Sequence, residues 1–134
     1  MTKIESQTVE VKNTQSNVFQ YLCDLNNFIN LLPKEKISDW KSTRTSCSFK
    51  VQGAIEIPLE FVSSTPNSHI HIRSGQNAPF PFTLDIDISS INDNNSTGKV
   101  TFNGEMNMFL KMMAEKPLTN LFNYIAQKLG EVNM

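Results

Sequence analysis

The chain is 134 residues long, with 12 lysines and arginines against 13 aspartates and glutamates and a formal charge of -1. That length suits a single domain, residues 1–134, in which folding buries roughly two-thirds of the surface that the unfolded chain exposes. A charge so near neutral gives no general electrostatic reason to expect nucleic acid or an anionic membrane as partner.

Lys34, Lys36, Lys41, Arg44 and Lys50 make a loosely basic stretch, but Glu35 and Asp39 interrupt it, and it reads as a solvated edge. Met1 to Gln7 carry no apolar core of signal-peptide length, and no later run approaches the roughly twenty apolar residues that span a bilayer. A soluble cytoplasmic protein without membrane insertion is therefore expected. Cys23 and Cys47 lack the number and spacing of a disulfide framework or a metal motif and are read as buried, reduced thiols. Asn94 and Asn95 each begin an Asn-x-Ser/Thr triplet, but without an export signal they are turn residues.

Taken in chain order, Lys3 to Lys12 predicts a first strand, imperfect because Ile4 and the pair Val9, Val11 differ in parity. Thr14 is a credible N-cap, and Val18, Phe19, Leu22 and Cys23 recur behind it at helical spacing. Asp24 offers a second cap to Phe28, Leu31 and Leu32, and this second short helix must stop near Pro33, whose ring pushes the preceding residue out of the helical region.

Extended character follows. Ile37 to Trp40 suggests a short strand, and Thr45, Cys47, Phe49 and Val51 alternate with polar residues up to Gly53. Ile55, Ile57, Leu59 and Phe61 form the inward face of the next strand, in which Pro58 argues for an edge or a bulge. Thr65 to Ser68 is turn chemistry. Ile70 and Ile72 then alternate with His69, His71 and Arg73. After a turn over Ser74 to Pro79, the strongest period-two signal in the chain sets Phe80, Phe82, Leu84, Ile86 and Ile88 against Asp85 and Asp87. Asn92 to Gly98 is a polar loop, and Val100, Phe102, Met106 and Met108 continue the inward parity past a bend at Gly104.

The C-terminal stretch changes period. Leu118, Leu121, Phe122, Ile125 and Leu129 fall on one stripe of an amphipathic helix. Extending that stripe backwards puts Phe109 on the opposite side, and a proline inside a helix costs about 3 kcal/mol or more. The sequence thus predicts a short helical segment at 109–115 and a long helix starting near Lys116, with Pro117 in its first turn.

The order of strand, two short helices, six strands and a long closing helix resembles the helix-grip fold of the SRPBCC superfamily, which includes START lipid-transfer domains, pollen-allergen-like proteins and bacterial polyketide cyclases. The residues that carry the likeness are Val18-Phe19-Gln20-Tyr21-Leu22-Cys23-Asp24, Leu31-Leu32-Pro33, and Phe102-Asn103-Gly104 followed by Lys116-Pro117-Leu118. Their order spans nearly the whole chain. The resemblance implies an α+β fold: a curved seven-stranded antiparallel sheet, two short helices after the first strand, and the long helix packed across the sheet over an apolar cavity.

Strand parity tests whether that cavity does chemistry, because general acid/base work needs a titratable group facing the reacting centre. Glu56, Glu60, His69, His71, Arg73, Asp85 and Asp87 all fall on the face opposite the apolar residues of their strands. The expected lining is Cys47, Phe49, Ile57, Leu59, Ile72, Phe82, Leu84, Phe102, Met106, Met113, Leu121, Phe122 and Ile125, almost free of proton carriers. His69 and His71 point the same way, but the third ligand that a metal needs is not placed by spacing, so the pair reads as polar strand surface. Cys47 points inward with no histidine assignable beside it and reads as a small hydrophobe. Met106, Met108, Met112 and Met113 crowd one end of the expected cavity, as core filling or as an adaptable lining. Tyr21, Trp40 and Tyr124 read as anchors in the packed shell.

These features favour binding or carriage of a small apolar or amphipathic ligand, lipid-like or polycyclic, with no catalytic residue, metal or cofactor expected. The superfamily supplies one alternative, a polyketide cyclase-like or dehydratase-like enzyme. A third reading is a packed interaction domain in which Phe49, Phe61, Phe80, Phe82, Phe102 and Phe122 fill the space a ligand would take.

Overall fold

A computed structural model of the chain describes residues 2–53 and 55–132. Its strands are β1 (Thr2–Glu5), β2 (Val9–Val11), β3 (Ile37–Ser42), β4 (Ser46–Val51), β5 (Ile55–Thr65), β6 (His69–Ser74), β7 (Phe82–Ser90) and β8 (Ser96–Gly104). Between β2 and β3 come helix α1 (Gln15–Leu22) and a 3-10 segment, Leu25–Leu31, and the chain closes on α2 (Met108–Leu129). All strands join one antiparallel sheet in the order β1-β8-β7-β6-β5-β4-β3, with β2 also paired to β8.

The first predicted strand divides in two, and parity explains the division. Ile4 and Ser6 are buried at even positions and Val11 at an odd one, so the chain must gain a residue between them. At the break the Ser6 amide donates to the Val100 carbonyl, and the Ser6 hydroxyl oxygen accepts from the Val100 amide, both at 2.9 Å. The ladder is continued by a side chain where the backbone leaves it.

The two short helices begin where their caps predict. Thr14 Oγ1 accepts from the Asn17 amide at 3.1 Å, and Asp24 Oδ1 from the Asn26 amide at 3.0 Å. The second is a 3-10 helix, and it ends with Leu32 in extended backbone ahead of Pro33. Pro58 lies in an interior strand, but its missing N–H faces the side where β6 runs out, and its carbonyl accepts from the Gly75 amide at 2.9 Å. At the opposite edge, β3 is blunted by a register shift between Ser38 and Lys41, with Asp39 in the left-handed region at φ 56°.

The closing helix differs from expectation in one respect. It is unbroken from Met108, capped by Asn107 Oδ1 accepting from the Leu110 amide at 2.8 Å, and Pro117 sits inside it. The predicted break assumed that an unbroken helix must bury both faces. Instead Met108, Phe109, Met112 and Met113 remain exposed, and β8 ends at Gly104, so Met106 and Met108 do not continue its inward parity. Pro117 has no N–H to offer, so the Met113 carbonyl one turn earlier loses its helical donor.

The core lies between the sheet's inner face and the helices. α1 packs against β6, β7 and β8; the 3-10 segment packs against β3 and β4; α2 packs against β1, β2, β8 and the 3-10 segment. Leu118, Leu121, Phe122, Ile125 and Leu129 are buried as the stripe predicts.

Candidate ligand-binding cleft

The middle of the space between sheet and helix is occupied by aromatic rings. Phe102 stacks on Phe122 of α2 with centroids 5.1 Å apart, lies 5.2 Å from Phe82, and meets Phe80 edge-on at 6.2 Å. Of the predicted lining, Cys47, Phe49, Ile57, Leu59, Ile72, Phe82, Leu84, Phe102, Leu121, Phe122 and Ile125 are buried, each no more than 4% exposed. Met106 is half-buried in the turn before α2, and Met113 is exposed on the outer side of that helix. The methionines therefore do not gather at a cavity.

Open space lies at the periphery of this core. A cleft of about 780 Å³ runs between one side of α2, the segment after the 3-10 helix and the β4–β5 turn. Pro117, Asn120, Leu121, Tyr124 and Lys128 line it from α2; Leu32, Pro33, Lys34, Glu35 and Lys36 form the facing wall; Val51 and Gln52 close one end. The wall has fixed geometry. The Lys36 amide donates to the Pro33 carbonyl at 2.8 Å, and the Gln52 amide donates to the Lys36 carbonyl at 2.7 Å, which ties the tight turn after Pro33 to the β-hairpin. Gln52 and Gly53 both take positive φ, 55° and 70°, which aims the hairpin tip at that turn. Nearby, the Asn30 side chain donates to the Tyr21 hydroxyl at 3.1 Å.

The lining is amphipathic. Leu32, Pro33, Val51, Pro117, Leu121, the Tyr124 ring and Val132 supply apolar surface, while Lys34, Glu35 and Lys36 stand exposed and Lys128 is half-buried. Of the residues expected to meet a ligand, only Leu121 reaches this cleft; Cys47 and Leu59 border a shallower depression of about 350 Å³ beside β3 to β5. The signal that was available lies in α2, where Pro117, Leu121, Tyr124 and Lys128 recur every three or four residues beside the core stripe.

Titratable groups sit where parity places them. Among the described residues, the buried polar side chains are Thr2, Ser6 and Ser96, all hydroxyls. Burial pushes the Cys47 thiol up to about 12, which leaves it protonated and unreactive at neutral pH. On the outer face His69 is raised above the usual histidine value, chiefly by its hydrogen bond to Asp87, with burial opposing and Asp85 adding.

Comparison with known proteins bears on the fold. No protein-family model matches the sequence, and no curated protein matches it significantly. Among solved structures, XoxI from Bacillus cereus superposes with a TM-score of 0.75 at 15% identity, covering 98% of this chain and 94% of XoxI. A START superfamily protein from Mycobacterium smegmatis matches with a TM-score of 0.69 at 14% identity, over 96% of this chain and 94% of that one. The chain has a START-like helix-grip fold. The di-domain ARO/CYC protein BexL shares it, with a TM-score of 0.69 at 9% identity over 98% of this chain and 46% of BexL. At such identities the START-like relationship is one of architecture, and residues of function must be argued from this chain's own geometry.

Proposed function

We propose that the protein binds and carries a small amphipathic molecule, its apolar body against Leu32, Val51, Pro117, Leu121 and Tyr124 and an anionic end toward Lys34, Lys36 and Lys128. The observation that carries this reading is the peripheral cleft itself. Its volume falls within the range of roughly 300–1,000 Å³ usual for small-molecule sites, and its floor is apolar while its rim sets Lys34, Lys36 and Lys128 against Glu35. The START-like and cyclase-like architectures of the structural neighbours support a ligand-binding use of this fold. A binder is favoured over an enzyme because the buried polar groups among the described residues are hydroxyls, with neither carboxylate nor imidazole enclosed beneath α2.

Two measurements test the proposal. Organic extraction of purified protein followed by mass spectrometry is expected to release an amphiphile. Titration with dodecanoate, followed by amide chemical shifts, should perturb Leu32, Gln52, Asn120 and Tyr124 first. Tyr124→Glu and the double variant Lys34→Glu/Lys36→Glu should each weaken binding about tenfold or more, since each discrimination of that size needs only about 1.4 kcal/mol. No extractable ligand together with no saturable shifts across a panel of charged and neutral lipids would end the carrier reading.

A further inference from the structure

On the outer face of the sheet, away from the cleft, β6 and β7 bring together a cluster that the carrier function does not use. His69 and His71 alternate along β6, so both imidazoles leave the same face. The antiparallel register sets Asp87 opposite His69 and Asp85 opposite His71. Asp85 Oδ1 lies 2.9 Å from His69 Nε2 and 2.6 Å from His71 Nδ1, while His69 Nδ1 lies 2.7 Å from Asp87 Oδ1. The third ligand that sequence spacing did not supply is thus furnished by strand pairing.

We propose that His69, His71 and Asp85 form a site for a divalent transition-metal ion of the zinc class, with Asp87 orienting His69. Four observations carry it. The three ligand atoms all lie within 4.8 Å of one another, close enough to share one ion. Two imidazoles and one carboxylate are the donor set that zinc, cobalt, nickel and copper take in preference to magnesium or calcium. The Nδ1 of His69 is engaged by a carboxylate that binds no other part of the cluster, the arrangement that fixes the tautomer of a ligating histidine and leaves Nε2 to the metal. Finally, Nε2 of His69 faces the Asp85 oxygen at 2.9 Å, a contact bridged by a proton when His69 is an imidazolium and open to a metal ion, which displaces that proton, when it is neutral.

Tetrahedral ligands about 2.0–2.1 Å from a zinc ion are about 3.3 Å apart, so Asp85 Oδ1, now 2.9 Å from His69 Nε2 and 2.6 Å from His71 Nδ1, would draw back from both nitrogens to admit the ion, and the two nitrogens would settle at that same spacing within the 4.8 Å that bounds the cluster. The ligands are about one-third exposed for the two histidines and 21% exposed for Asp85, which leaves the fourth position to water. Lys99, the cation opposite Asp87 on β8, has its ammonium 3.5 Å from Glu5, which lessens its opposition to a bound cation. A bound ion would cross-link β6 to β7 in mid-sheet.

Tag-free protein stripped with chelator and titrated with cobalt(II) tests the site. The expected result is one ion per chain, visible d–d absorption of a tetrahedral site, a raised melting temperature that chelator reverses, and shifts of the His69 and His71 ring nitrogens. His71→Ala and Asp85→Asn should each lose about a hundredfold in affinity, and Asp87→Asn about tenfold, within the 10–100-fold range seen when an orienting partner is removed. Cys23→Ser should bind like the parent, which separates the site from adventitious thiol binding. Absence of a tetrahedral spectrum in the parent protein, unmoved ring nitrogens, or affinity retained in both His71→Ala and Asp85→Asn would each overturn the proposal, the first two on the parent protein alone and so whether or not a variant is marginally folded.

Discussion

Cys23 and Cys47 are chemically identical side chains whose surroundings separate them. Cys47 is 4% exposed and its thiol is pushed to about 12, whereas Cys23 is half-buried and raised less. An aromatic disulfide reagent is therefore expected to titrate Cys23 in the native protein and Cys47 only after denaturant is added. The same shift has a sign in stability. Between the ordinary thiol value of 9.0 and about 12, the unfolded chain loses the Cys47 proton while the folded chain keeps it, so this contribution to stability is whole below pH ~9 and falls as pH rises. Cys47→Ala should flatten that decline relative to the parent in urea titrations at pH ~8 and ~10.5. Gly104 answers to sterics instead. A Cβ there would fall 2.8 and 2.9 Å from atoms of the Phe102 ring and 3.1 Å from Phe80, so Gly104→Ala should cost about 1–3 kcal/mol by urea unfolding, as overpacking does. Local chemistry at this scale is legible in sequence: the Thr14 and Asp24 caps depend only on residues two or three positions on. The partners of His69 and His71 are not, because Asp85 and Asp87 lie 14 to 18 positions away and only the strand register brings them near.

Within elements, period-two strands declared themselves because a half-buried sheet forces alternation, and the buried positions of β4 to β8 follow it. The expected polar loop over Asn92 to Gly98 gives way to β8 at Ser96, whose small polar and glycine positions hide the alternation, and two further boundaries were hidden for opposite reasons. The break between β1 and β2 hinges on a serine that serves as a ladder hydrogen bond, a substitution with no periodic signature. In α2, local cost argued for a break at Pro117, yet the N-cap at Asn107 and packing on both sides of the proline hold one helix together. The residual cost of that proline is measurable. Pro117→Ala should stabilise the fold by about 1–3 kcal/mol, the interior helix penalty less the conformational entropy regained by the unfolded chain. Hydrogen exchange should show the gain as slower opening of amides on both sides of residue 117. No gain would mean that the helix already accommodates the proline without residual cost.

For the molecule as a whole, the decisive arrangement is a helix with two different surroundings on adjacent faces. One face carries Phe122 into the stack with Phe102, Phe82 and Phe80; the neighbouring face presents Pro117, Leu121 and Tyr124 to the cleft. Sequence periodicity revealed the first face because it is strongly apolar, and it assigned the ligand to that face for the same reason. What it lacked was volume: whether aromatic side chains leave a void or fill it is settled by ring placement, which no spacing rule encodes. The separation of the two faces makes a sharp prediction. Phe122→Ala removes the ring that joins α2 to β8 and should cost about 3–5 kcal/mol, much of the 5–15 kcal/mol that holds a domain of this size together. Tyr124→Ala, at a position 38% exposed, should cost about 1 kcal/mol or less and leave the melting transition cooperative while weakening dodecanoate. If instead Phe122→Ala binds the amphiphile more tightly at equal folded fraction, the stack is a plug in the site and the ligand belongs beneath the helix, not beside it.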